Sequence, residues 1–230
     1  MKLQDAIVLI TGANRGIGFS FVEAALARGA RKVYAGARNP SAINLPGVIP
    51  VRLDVTSDED VANATRVCGD VTLVVNNAGI ARAGGILKAG SNEASRAQFE
   101  TNVFGIIRMT QAFAPVLARN GGGAFLNVLS AASWINTGAM TAYAVSKAAA
   151  WSLTNGIRNE LRKQKTQVLG LHVGIVDTDA TRGIDAIKVS PQSVAIAAFD
   201  ALEAGASEVL ADERARTVKH GLTADPPIYL

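Results

Sequence analysis

The sequence predicts an α/β fold: a doubly wound parallel sheet with helices on both faces. Three observations carry that prediction. Short runs of β-branched and aliphatic residues alternate with helical stretches from one end of the chain to the other. Runs such as "AIVLI" and "VTLVV" lack apolar–polar alternation, so they read as strands covered on both faces. Helix caps and stops fall at the joins between them. Parallel neighbours need right-handed crossover helices, which makes the sheet doubly wound.

The elements follow in order. "DAIVLI" (5–10) is the first strand and "IGFSFVEAALARG" (17–29) the first helix, stopped at Gly29. "RKVYAGA" (31–37) and "GVIPVRLDV" (47–55) are the next strands. Ser57 caps a helix to about Cys68, with Asp58, Glu59 and Asp60 in its first turn, where the helix dipole favours acids. "DVTLVVNNAG" (70–79) is a strand, Ser95 to Arg119 one long helix, and "GGGAFLNVLS" (121–130) a further strand. A helix carrying Tyr143 runs to about Lys163, followed by the strand "TQVLGLHVG" (166–174). Ser190-Pro191 opens another helix with a cap and a first-turn proline, and "EVLA" (208–211) is a last short strand.

With 49 % apolar and 18 % charged residues, the 230-residue chain is globular in composition rather than disordered, and one domain over 1–230 accommodates it. No apolar run approaches the ~20 residues of a membrane span. "MKLQD" leads into a five-residue apolar run, too short for a secretory core. The lone cysteine, Cys68, excludes an internal disulfide and suits a reducing cytoplasm, with a buried thiol as its expected role. Net charge is +4, but the 23 Lys and Arg are scattered. The densest stretch, "RNELRKQK" (158–165), reads as the solvated end of a helix, so no nucleic-acid partner is expected.

Ligands of such sheets sit beyond the C-terminal strand ends. After the first strand stands "TGANRGIG" (11–18), with Gly12, Gly16 and Gly18 at a strand-to-helix turn that Asn14, Arg15 and Ile17 complete. Glycines allow close backbone approach, and the following helix offers free N–H groups to a pyrophosphate. The second strand ends in Ala37-Arg38, without the acid that would hold the ribose hydroxyls of NAD. A guanidinium there suits a 2′-phosphate, so NADP(H) is expected over NAD(H), with Arg15 near the same phosphate. Ser130 ends the fifth strand, thirteen residues before Tyr143, and Lys147 stands one helical turn after that tyrosine on the same face.

T-G-x-x-x-G-x-G, "NNAG" (76–79), Asn102, Ser130 and "YAVSK" (143–147), in that order, resemble the short-chain dehydrogenase/reductase family in its compact branch, from about Ala6 to Val176. The resemblance implies a Rossmann-type sheet of order 3-2-1-4-5-6-7. It also implies an NADPH-dependent carbonyl reductase, reversible as an alcohol dehydrogenase. Asp54 and Val55 would contact adenine, and Asn77, Ala78 and Gly79 would line the adenosine side. Gly174, Val176 and Thr178 would border the nicotinamide. Ser130, Tyr143, Lys147 and Asn102 would be the catalytic set. Lys147 and the oxidised cofactor would lower the Tyr143 pKa, Ser130 would fix the substrate oxygen, and Asn102 would hold a water leading to solvent.

Two departures stand out. Val173-Gly174 replaces the family's Pro-Gly, which implies a looser loop after the sixth strand. The ending "EVLADERARTVKHGL" lacks a glycine-rich strand end, which favours a homodimer through the two long helices over a tetramer. The segment Thr178–Ser190, with its glycine, is short for a substrate lid and implies an open pocket for small and medium carbonyls, bulky aromatic ketones included. Ser133, Trp134 and Met140 are candidate pocket residues, with core packing the alternative for Trp134 and Met140. An NAD-dependent dehydrogenase and a non-catalytic NADP(H)-sensing regulator are the rival readings. A hydrolase built on Ser130 and His172 fails for want of G-x-S-x-G, which leaves His172 a packing role and His220 a surface helix. Asp177 and Asp179 have no companion histidine, so no metal site is expected.

Overall fold

A computed structural model describes residues 1–230, the Ala42 side chain excepted. Its parallel sheet takes seven strands in the order β3-β2-β1-β4-β5-β6-β7. They are β1 (Ile7–Thr11), β2 (Lys32–Ala37), β3 (Val48–Arg52), β4 (Leu73–Asn76), β5 (Ala124–Val128), β6 (Gln167–His172) and β7 (Glu208–Leu210). The helices are α1 (Gly16–Ala27), α2 (Asp58–Val67), α3 (Ser91–Phe99), α4 (Gly105–Arg119), α5 (Thr141–Glu160), α6 (Pro191–Glu203) and α7 (Glu213–Gly221).

The absence of polar alternation in the strands now has its cause. In β1, Val8 and Ile10 pack with Phe21 of α1 and Phe199 of α6, while Ile7 and Leu9 pack with Met109 and Phe113 of α4. Both faces of the strand are core, so both sets of alternating residues must be apolar. The Phe21 and Phe199 rings meet edge-on at 5.2 Å, a contact worth about 1 kcal/mol beyond burial. The caps also fall where the residues place them. Ser57 Oγ accepts from the Asp60 N–H at 3.1 Å, and Ser190 Oγ from the Ser193 N–H at 3.1 Å.

The helix expected as continuous from Ser95 to Arg119 is different. It begins at Ser91 and is broken by a π-helical turn, Glu100–Phe104, between α3 and α4. Asn102 lies in that turn, 1 % exposed. Its carboxamide accepts from the Ile80 N–H at 2.9 Å and donates to the Ile80 carbonyl at 2.9 Å and to Ser146 Oγ at 3.0 Å. One residue thereby pins the chain leaving β4 and joins it to α5; single π turns inside α-helices are frequent at functional sites. "RNELRKQK" is not wholly solvated either: Arg158 is half-buried and donates to the carbonyls of Val168 at 3.0 Å and Ser207 at 2.8 Å, fastening α5 to β6.

Candidate active site

A cavity of about 770 Å³ opens along the C-terminal strand ends, and every residue singled out above for cofactor or catalysis lines it except Asn102. Its first wall is the turn between β1 and α1. Thr11 Oγ1 accepts from the backbone N–H groups of Asn77 and Ala78 at 3.0 and 2.9 Å, tying β1 to the chain after β4. The Asn77 carboxamide returns to the carbonyls of Thr11 at 2.9 Å and Gly12 at 3.2 Å. Gly18 is sterically obligatory, because a Cβ there would sit 2.1 Å from the Gly12 oxygen and 2.6 Å from Asn77 Nδ2. Helix α1 starts with no side-chain cap and no acid in its first turn, so its leading N–H groups and the positive end of its dipole face the cavity. That cradle fits a dinucleotide pyrophosphate.

Arg15 and Arg38 are exposed at this end. Between them and the core lies Asp54. Burial works against its charge, yet hydrogen bonds from Thr56 at 2.9 and 2.7 Å, with Arg38 and Arg52 nearby, hold its carboxyl below the ordinary carboxylate range. Its oxygens are therefore partly occupied within the protein.

The opposite wall comes from β5, β6 and α5. Ser130 follows β5 and caps a short 3₁₀ turn, Ala131–Ser133, by accepting from the Ala132 N–H at 3.1 Å. Lys147, 6 % exposed, points inward from α5, and its Nζ donates to the Val128 carbonyl at 2.8 Å while standing 5.8 Å from the centre of the Tyr143 ring. Burial pushes the Lys147 ammonium down to about 8. Burial also pushes the Tyr143 phenol up, an effect partly offset by the hydroxyl of Ser130. In the free protein burial therefore dominates the phenol, and Ser130 is the neighbour that counters it.

Asn102 lies behind this wall, with its carboxamide engaged by Ile80 and Ser146. A side chain added at Gly79 would come within 3.2 Å of Asn102 Oδ1 and 3.8 Å of Lys147 Nζ, so that glycine stands between the asparagine and the cavity that the lysine lines. Of the three candidate pocket residues, Met140 lines the cavity. Ser133 is buried away from it, and Trp134 stacks on His172 at 3.8 Å. The loop after β6 is not loose. The Val173 carbonyl accepts from the Ala131 N–H at 2.9 Å, and the Gly174 N–H donates to buried Asp212 at 2.6 Å.

Sequence reasoning missed Thr11, Ser146, Asp212 and Arg214, which joins the cavity wall from the start of α7. Ser146 carried a faint signal, a polar residue on the inner face of an alanine-rich helix three positions after Tyr143. Asp212 and Arg214 carried none, being about forty residues from the loop they meet.

The arrangement can cradle a dinucleotide on one side and present a proton donor, a hydroxyl and a buried amine on the other. Residues 6–188 match the short chain dehydrogenase family. Uncharacterized oxidoreductases of Staphylococcus saprophyticus and Staphylococcus aureus are 30 % and 29 % identical, covering 88 % and 87 % of this chain and 93 % and 92 % of their own. A short chain dehydrogenase from Burkholderia cenocepacia J2315, solved in complex with NADP, superposes with a TM-score of 0.94 at 40 % identity, over 98 % of this chain and 96 % of that one. A short chain dehydrogenase/reductase from Burkholderia phymatum, solved with NAD, shares the fold at TM-score 0.85 and 23 % identity, over 96 % and 94 %. Fold, cavity and relatives agree: this chain belongs to the short-chain dehydrogenase/reductase family of oxidoreductases.

Proposed function

We propose that the protein is an NADPH-dependent carbonyl reductase, reversible as an alcohol dehydrogenase. One observation carries the reading: Ser130, Tyr143 and Lys147 share one cavity with a nucleotide cradle whose far end presents Arg15 and Arg38. The bound nicotinamide supplies the hydride chemistry. Tyr143, held protonated by burial, donates its proton to the carbonyl oxygen and becomes phenolate. Ser130 holds that oxygen at a set distance from the phenol. Lys147, one turn along α5, stabilises the phenolate and holds the nicotinamide ribose, and Asn102 keeps the lysine side of the proton path in place.

Arg38 and Arg15 favour the 2′-phosphate of NADP(H) over NAD(H), in keeping with the NADP in the Burkholderia cenocepacia structure. Asp54, Val55, Asn77, Ala78 and Gly79 take the adenosine side, and Gly174, Val176 and Thr178 the nicotinamide. The same reading includes a single domain over 1–230, small and medium carbonyl substrates, a cytoplasmic location and a homodimer packed through α4 and α5. The test is NADPH oxidation against a panel of ketones and aldehydes. Tyr143→Phe is expected to lower kcat by about 10³-fold while NADPH still binds. Undiminished turnover in that variant removes Tyr143 as the acid.

A further inference from the structure

Behind Ser130, on the side away from the cavity, β6, β7, α5 and α7 meet at a polar and aromatic cluster. His172, at the end of β6, is fully buried. Its Nδ1 stands 3.1 Å from the Ser130 carbonyl. A carbonyl only accepts, so this bond exists only when Nδ1 carries the proton. Nε2 faces Glu208 Oε1 of β7 at 3.5 Å, and Glu208 is itself gripped by Lys219 of α7 at 3.1 and 2.9 Å.

The imidazole plane stacks on Trp134, 3.8 Å between centroids and 17° between planes. Trp134 closes the short turn that Ser130 opens, so one histidine touches both ends of the turn. The Lys219 ammonium lies 4.5 Å from the Trp134 ring centre and 5.8 Å from that of Trp151, on the helix that carries Tyr143 and Lys147. The turn bearing Ser130 is thereby indexed to the helix bearing the other two reactive groups. The Ser130 carbonyl is shared with the Ser133 N–H at 2.9 Å, while the flanking N–H groups of Leu129 and Ala131 bond to the carbonyls of Leu171 and Val173.

We propose that His172 is a positioning residue for Ser130: its Nδ1–H holds the Ser130 carbonyl while the stacked Trp134 holds the imidazole, which keeps the serine hydroxyl aimed at the substrate oxygen. The proposal rests on Ser130 acting on that oxygen. A displacement of under an ångström at such a group costs turnover and leaves cofactor binding alone, because the phosphate cradle is built by β1 and α1, with β4 between it and β5.

Three substitutions separate a donor from a filler. His172→Phe keeps a stacked ring and loses both nitrogens. In His172→Asn the amide nitrogen reaches the place of Nδ1, and in His172→Gln it reaches the place of Nε2. Steady-state kcat and carbonyl KM, NADPH affinity by fluorescence and the melting temperature are measured on each full-length protein. Phe and Gln are expected to lower kcat about tenfold, the worth of one hydrogen bond, with NADPH affinity within about twofold of wild type. Asn restores most of the loss. Equal turnover in all three variants, or a loss that simply follows melting temperature, overturns the proposal.

The Ser130→Ala background gives a second reading. There the His172 substitutions should cost nothing further in kcat; additive losses overturn the positioning role. If Ser130→Ala alone leaves kcat intact, the catalytic reading fails and the positioning role with it. If Ser130→Ala is crippled and the His172 set is indifferent, only the positioning role fails.

Discussion

At the β1–β3 end of the cavity Arg15 and Arg38 stand in solvent, whereas at the β5–β6 end Ser130 and Lys147 are each 6 % exposed. The first end works with backbone. A turn built of small residues leaves N–H groups free, and its charges are long side chains that meet a ligand without being desolvated beforehand. The second end works with buried side chains drawn from two strands and a helix. Its surroundings drive an amine down to about 8 and a phenol upward. The difference teaches where each end is fragile: the open end to anything that fills its turn, the closed end to small shifts of position and charge.

The largest effect is expected at the open end. Gly18→Val places atoms within about 2 Å of the Gly12 carbonyl, as the 2.1 Å clearance of a single Cβ shows. NADPH binding, followed by fluorescence, should fall at least about 100-fold with loss of melting temperature. Retained affinity would mean that the turn does not form the cradle.

Lys147→Met sharpens the contrast at the closed end, because stability and turnover should move in opposite directions. Burial holds this lysine at about 8 instead of 10.5, so below pH 8 the folded chain bears the penalty of a buried ammonium. Turnover should drop ~100-fold or more. The melting temperature at pH 7 should rise, with an upper limit on the order of 3 kcal/mol. The unfolded chain binds more protons than the folded one between pH 8 and 10.5. Wild-type stability therefore climbs across that window, and the variant lacks the climb. A variant that melts lower at pH 7 contradicts this.

Arg38→Ala should weaken NADPH about 10- to 100-fold and leave NADH unchanged, as expected for a charge-assisted contact to one phosphate. Equal change for both cofactors would place the guanidinium elsewhere. The smallest effect belongs to the support behind the closed end. The imidazole of His172 and the ammonium of Lys219 outweigh burial and hold the Glu208 carboxyl at about 2 instead of 4.5. The stability this lends is complete above pH 4.5 and is lost as pH falls toward 2, so acid unfolding of Glu208→Gln should have a shallower pH dependence over that range.

Sheet, helices and glycine turn were legible because they depend on local pattern. The short apolar runs of β1 and β4 lack alternation because both faces are covered, and Gly29, Ser57 and Ser190 act within a few residues of themselves. Tyr143 and Lys147 were legible as a pair because helical geometry alone puts them on one face. The π turn was not legible. Residues 91–119 carry an ordinary helical pattern, and what breaks it is a bond from Asn102 to Ile80, a residue of the chain after β4.

The chain's own letters thus settle its architecture, its family motifs and the chemical types offered at the strand ends, since all three follow from short-range sterics and hydrophobic period. Tertiary structure alone decided the protonation tendencies of Tyr143 and Lys147, the tying of Gly174 by Asp212 and the contact of His172 with Ser130. Those depend on burial and on bonds between residues about 40 positions apart, and neither quantity has a local sign in the sequence.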